Sequence, residues 1–188
     1  IYECPYDLTP LEERVSKTLQ GEAEEKKRAE SIETQKRLAE IEAILNSQQV
    51  DDLLKRRSIR KRPEMLIVED DHFTQRLIAK TVDPRIHVTF ADNAKDALLH
   101  YITLAPDMVL LDIGLPDING HEVMRHILAV DGDAYVVMLS GNADTHNVIR
   151  SVENGAQGFI GKPFNRTKLS AYTHKSPFIQ SKLTGGHS

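Results

Sequence analysis

Acidic residues stand at the ends of apolar runs in this chain, and its chemistry is read from that placement. The run Met65–Val68 ends in Glu69, Asp70 and Asp71, and the run Met108–Leu111 ends in Asp112. A third run, Tyr135–Leu139, ends in Ser140, and Phe159–Ile160 is followed closely by Lys162 and Pro163. Carboxylates gathered within a few ångströms repel one another unless a cation neutralises them. Oxygen donors without His or Cys select a hard cation, Mg²⁺ above all. A carboxylate beside such an ion can attack phosphorus and become an acyl phosphate. The transferred group spreads its charge over oxygens that need a cation and hydrogen-bond donors nearby, which the Lys162 ammonium and the Ser140 hydroxyl can supply.

These groups lie tens of positions apart, so a fold must gather them. Between the apolar runs come helical stripes: Phe73, Leu77, Ile78 and Val82; Ala94, Ala97, Leu98, Tyr101 and Ile102; Val123, Met124, Ile127 and Leu128; Val148, Ile149 and Val152; Leu169 and Tyr172. Ile86, Val88 and Phe90 alternate with His87 and Thr89, as on an edge strand. The order is βαβαβαβαβα, and continuous apolar strands joined by helices imply a parallel sheet covered on both faces. The expected fold class is therefore α/β, a doubly wound five-stranded parallel sheet. Ligands in such sheets sit beyond the carboxyl ends of the strands, where Glu69, Asp70, Asp112, Ser140 and Lys162 would converge. Asp71 reads as a helix N-cap, Pro116 and Gly120 as residues that shape the loop after Asp112, and His121 and His126 as surface residues.

Four segments, in order and correctly spaced, carry a resemblance: Leu66–Asp71 (LIVEDD), Val109–Gly120 (VLLDIGLPDING), Val137–Gly141 (VMLSG) and Phe159–Phe164 (FIGKPF). Over about 110 of the 188 residues the chain resembles the receiver domain of two-component response regulators. The resemblance implies the flavodoxin-like strand order 2-1-3-4-5 and a phosphoryl group accepted on Asp112 from a sensor histidine kinase or a histidine phosphotransfer protein. It implies Mg²⁺ as cofactor, with Asp70 a direct ligand, Glu69 acting mostly through water, and Asp112 and the Gly114 carbonyl completing the protein's share. It places Ser140 as the hydroxyl that senses the phosphoryl group, Lys162 as its ammonium partner before a cis Pro163, and Phe159 as the switch aromatic. The chemistry expected is phosphorylation and dephosphorylation of the chain itself, not turnover of a substrate. One alternative is a Mg²⁺-dependent aspartyl-phosphate phosphatase, but that class usually has an acid two residues after its nucleophile, where this chain has Gly114. Another is a helical interaction protein gated by the receiver.

The charge balance divides the chain. Residues 1–62 hold 13 Lys/Arg, 13 Asp/Glu and one glycine, whereas the remainder carries the net charge of −4 and nine of the ten glycines. The expected organisation is a charged helical extension with a basic linker over 1–62, a receiver over 63–176 and a C-terminal tail over 177–188. In the extension, Pro10 follows Thr9 as an N1 proline follows its cap. Leu11, Val15 and Leu19, then Ile32, Leu38, Ile41, Leu45 and Val50, form an apolar stripe too uneven to secure a long coiled coil. That stripe needs burial, and pairing with a second chain in a homodimer is the expected solution. Six of the eight residues Lys55–Arg62 are basic, but no aromatic residue interleaves them, so a solvated linker is expected before a nucleic-acid patch. The short stretch after Lys175 leaves no room for a DNA-binding domain, and the downstream partner is not named by the sequence. No apolar run is long enough for a membrane span, and the single cysteine, Cys4, excludes an internal disulfide and fits a reducing cytoplasmic setting.

Overall fold

The structure, a computed structural model, describes residues 9–44, 47–142 and 144–185. Cys4 and Leu45 lie outside them. Five strands, β1 (Glu64–Val68), β2 (His87–Ala91), β3 (Met108–Asp112), β4 (Val136–Ser140) and β5 (Gly158–Gly161), pair in parallel in the order β2-β1-β3-β4-β5. The period-two side-chain alternation splits each apolar run between two cores. Leu66, Val68, Val109, Leu111, Val136 and Met138 face one side, and Met65, Ile67, Met108, Leu110, Val137 and Leu139 the other. Every residue of β1, β3 and β4 is buried, while β2 lies half open at the edge, as its alternation predicts.

The strands are joined by α3 (His72–Ala79), α4 (Ala94–Leu104), α5 (Gly120–Val130) and α6 (Thr145–Glu153), and α7 (Arg166–Lys175) follows β5. Their starts are fixed locally by side-chain caps. Asp71, Asn93, Asn119, Asp144 and Asn165 each accept hydrogen bonds from the first free backbone N–H groups of the helix that follows, a contact worth about 1 kcal/mol per helix. The helical stripe assigned to α3 holds in half of its members. Ile78 and Val82 are buried, with Gln75 beside them, whereas Phe73 and Leu77 face solvent.

The extension folds as α1 (Thr9–Ile44) and α2 (Ser47–Ile59). The end of α1 lies on α4 and α5, with Leu38 fully buried in the first core and Ile41 packed against it. Part of the apolar stripe is thus covered within the chain. Leu11, Val15, Leu19 and Ile32 remain exposed, and residues 10–28 extend clear of the sheet domain over about 28 Å of helix.

Residues 55–62 are not a solvated linker. Arg56 donates to the carbonyls of Ile102 and Thr103 at 2.8 and 2.5 Å, and Arg60 to those of Leu104 and Ala105 at 2.5 and 2.8 Å. These are the carbonyls that the end of α4 leaves without helical partners. Arg57 is buried and donates to Asp131 at 2.7 Å, while Arg60 also pairs with the fully buried Asp107. The segment expected as a tail forms α8 (Pro177–Thr184), which buries Ile179. Lys182 of α8 reaches Asp107 at 2.5 Å and the Arg57 carbonyl at 2.7 Å, and the Phe178 ring lies under the Arg57 guanidinium at 4.1 Å. The end of α2 and α8 therefore meet at the end of the sheet opposite its carboxyl rim.

Both histidines expected at the surface are buried. His126 Nδ1 lies 2.6 Å from Glu42 Oε2 of α1, so α1 covers it. His121 bridges α5 to its cap and to α6, with Nδ1 2.9 Å from Asn119 Oδ1 and Nε2 3.0 Å from Ser151 Oγ. Burial, with the Arg150 charge nearby, holds its pKa below the usual 6.5. The unfolded chain therefore binds the proton first as pH falls. This contribution to stability is complete above the unfolded value and is lost as pH drops from there toward the folded value. Urea midpoints taken from about pH 7 to about pH 5 are expected to fall more steeply in the wild type than in His121→Asn. Equal slopes would remove His121 from the acid sensitivity.

Candidate metal and phosphorylation site

The loops that follow β1 and β3 bring Glu69, Asp70 and Asp112 together, with one carboxylate oxygen from each inside a 4.8 Å cluster. Glu69 and Asp112 are buried and Asp70 is exposed, so the cluster opens to solvent on the Asp70 side. Lys162, which follows β5 and precedes the cis Pro163, lies 2.6 Å from Glu69 Oε2 and 3.2 Å from Asp112 Oδ2. The contact with Glu69 Oε2 is a buried ion pair. The other Glu69 oxygen accepts the Asp71 N–H at 3.1 Å.

The charges are unevenly relieved. Burial raises the Glu69 pKa, and the neighbouring Asp112 adds to the rise against the pull of Lys162 and the Asp71 amide. Burial opposes the charge on Lys162, but Glu69 and Asp112 outweigh it and hold the ammonium pKa above its ordinary value. Three carboxylates share one ammonium. An all-oxygen donor set with surplus negative charge fits a hard divalent cation.

Backbone approach fixes the loop after Asp112. A Cβ on Gly120 would sit 2.2 Å from the Asp112 carbonyl oxygen and 2.8 Å from Ile113 Cα, so α5 starts pressed against the chain of Asp112. Gly114 donates its N–H to Asp112 Oδ1 at 3.2 Å. Asp117, farther along the loop, accepts the Ala94 N–H at the start of α4 at 3.0 Å. Ser140 is buried, and its hydroxyl is engaged within its own loop, donating to the Asn142 carbonyl at 3.1 Å and accepting the Asn142 N–H at 3.0 Å. A Cβ on Gly141 would meet open space. Phe159 lies on β5, half-buried against the first core.

Residues 65–174 match the model of the response regulator receiver domain family. The chain belongs to that family.

Members of the family carry out only phosphorylation and dephosphorylation of themselves. The receiver region is 36% identical over 114 residues to the transcriptional regulatory protein KdpE of Staphylococcus aureus, an alignment that takes in 57% of this chain and 47% of KdpE. The chain thus spans about half the length of that relative. It is 34% identical over 108 residues to the chemotaxis protein CheY of Listeria monocytogenes, covering 56% of this chain and 91% of CheY. Among solved structures it is similar to a BeF₃-activated DrrB receiver domain, at 26% identity and a TM-score of 0.57, covering 62% of this chain and 97% of that one. It is also similar to CheY in a CheX–CheY–BeF₃–Mg²⁺ complex from Borrelia burgdorferi, at 28% identity and a TM-score of 0.55, covering 60% of this chain and 87% of that one. The acidic triad of the receiver is consistent with the metal site of that family.

The structure also brings in groups that the sequence reading passed over. Asp117 joins the loop after β3 to α4, and Gln75 joins the loop after β1 to the loop after β2. A polar residue within an otherwise buried helix face was the one available signal for Gln75.

Proposed function

We propose that this chain accepts a phosphoryl group on Asp112 from a sensor histidine kinase or a histidine phosphotransfer protein, in a step that requires Mg²⁺, and so switches protein–protein contacts in signal transduction. The observation that carries the reading is the triad Glu69, Asp70 and Asp112 beside Lys162. An Asp112 oxygen attacks phosphorus, the phosphorus–nitrogen bond of the donor phosphohistidine breaks, and the imidazole leaves with a proton. Asp70, Asp112 and the Gly114 carbonyl would hold the ion, with Glu69 supporting it. Bound there, Mg²⁺ would neutralise the carboxylates and the incoming oxygens. Lys162 pairs with the transferred group. Ser140 exchanges its bond to Asn142 for one to a phosphoryl oxygen, and Phe159 follows it inward.

In this reading residues 63–176 are the receiver and residues 1–62 report its state. The support is the seating of α1 on α4 and α5, the helices whose N-termini the acceptor loop holds through Asp117 and Gly120. The exposed Leu11, Val15 and Leu19, spaced four residues apart, are the surface offered to a second copy. A coupling of about 1–3 kcal/mol between phosphorylation and helix docking is expected. Oligomer mass and hydrogen exchange of residues 31–44, with and without beryllofluoride, measure it, and identical values in both states would leave the extension a passive tether.

The direct test of the site is labelling by acetyl phosphate. One hydroxylamine-labile phosphate per chain is expected with Mg²⁺ and none after chelation. Stoichiometric labelling in EDTA would overturn the reading.

A further inference from the structure

We propose that Gln75 is a positioning residue for the acidic pair Glu69–Asp70, setting the affinity of the site for its divalent cation. The inference rests on the metal reading given above. Gln75 lies on the inner face of α3 and is 5% exposed. Its Nε2 is 2.6 Å from the Glu69 carbonyl oxygen and 2.6 Å from Asp92 Oδ1, while its Oε1 lies 3.2 Å from His72 Nδ1. A carbonyl and a carboxylate can only accept, so the orientation of the carboxamide is decided by its surroundings, and both amide hydrogens are spent. A buried polar side chain is costly unless its bonds are made, and here they are made to two different loops.

Those loops follow the adjacent strands β1 and β2. The Glu69 carbonyl belongs to the peptide that leads into Asp70. Fixing that peptide therefore fixes the direction in which the Asp70 carboxylate leaves the backbone. The Glu69 side chain is steadied separately by the Asp71 N–H, and the start of α3 is capped by Asp71. Neither job is left for Gln75. What it adds is a tie that holds the backbone between the two acids against the β2 loop. Groups that orient metal ligands from behind typically change metal affinity by about 10–100-fold when lost.

The experiment is calorimetric titration of Mg²⁺ into the full chain and into Gln75→Met, which keeps the length of the side chain without a donor. Thermal midpoints in EDTA, recorded in parallel, report packing alone. A Mg²⁺ affinity about 10–100-fold weaker, well beyond any change explained by the EDTA midpoint, is the expected result. Unchanged affinity in a folded Gln75→Met protein would overturn the positioning role while leaving the metal site intact. Absence of Mg²⁺ binding by the wild type, or full binding by Asp70→Asn, would instead overturn the metal reading and this inference with it. Should Gln75→Met fail to fold, the wild-type side-chain amide signals of Gln75 in nitrogen-15 NMR decide the matter. They are expected to shift on Mg²⁺ addition, and signals that stay in place would overturn the proposal.

Discussion

Asp112→Asn is expected to abolish labelling by acetyl phosphate in the presence of Mg²⁺. The substitution keeps the shape of the side chain and an oxygen that can still accept the Gly114 N–H. It removes the negative charge that makes the oxygen a nucleophile and that pairs with Lys162 at 3.2 Å. Loss of labelling in this variant therefore reports chemistry and not a damaged strand, provided the thermal midpoint holds. It should hold or rise, because one of three crowded carboxylates is neutralised. Complete labelling of the variant would move the acceptor to Glu69 or Asp70 and dismantle the site as assigned.

Arg57→Met is expected to carry the largest stability loss of any single change considered for the extension. The guanidinium is buried, bonded to Asp131 at 2.7 Å and stacked over Phe178. Without it the Asp131 carboxylate keeps the Tyr101 hydroxyl at 2.6 Å and the Asp133 N–H at 3.1 Å but loses its counter-charge while still buried. Burial, then the Asp131 charge, push the Tyr101 pKa well above its ordinary value, so the phenol stays a donor and cannot take over the charge balance. Breaking one side of a buried ion pair costs about 3–5 kcal/mol, which chemical denaturation resolves easily. Replacing both partners, Arg57→Met with Asp131→Leu, should recover much of that loss, because no orphaned charge remains. A single-variant loss under about 1 kcal/mol would show that the pair is solvated in practice.

How far the sequence told the story depends on what kind of force acted. The strands were legible because burial on both faces leaves an unbroken apolar run, and β1, β3 and β4 are such runs. The acidic triad was legible because each member sits where a run stops. The face of α3 was not. Phe73, Leu77, Ile78 and Val82 read as one stripe, and the fold buried Ile78 and Val82 together with a glutamine whose partners lie in two loops. The arginines at the end of α2 and just beyond it misled for a related reason. A dense run of positive charge looks the same in sequence whether it meets water or the carbonyl end of a helix more than forty positions away. His126 was misjudged because its cover, Glu42, comes from an element outside the receiver.

The seating of Arg56 and Arg60 on the end of α4 bears on how such a receiver can be moved between proteins. That helix stops at Ala105, a residue other than glycine held at φ 48°, and four successive carbonyls there are satisfied by side chains from before the sheet begins. A graft cut at Pro63, where composition shifts and the family match begins close by, would carry away a helix whose final turn has lost its donors. The portable unit starts within α1, ahead of Leu38, which is buried in the first core, and Glu42, which covers His126. A chimaera joined before Leu38 should keep the native midpoint, one joined at Ser47 would keep the donors of α4 but lose Leu38 from the core, and one joined at Pro63 would carry the acidic triad on a weakened support.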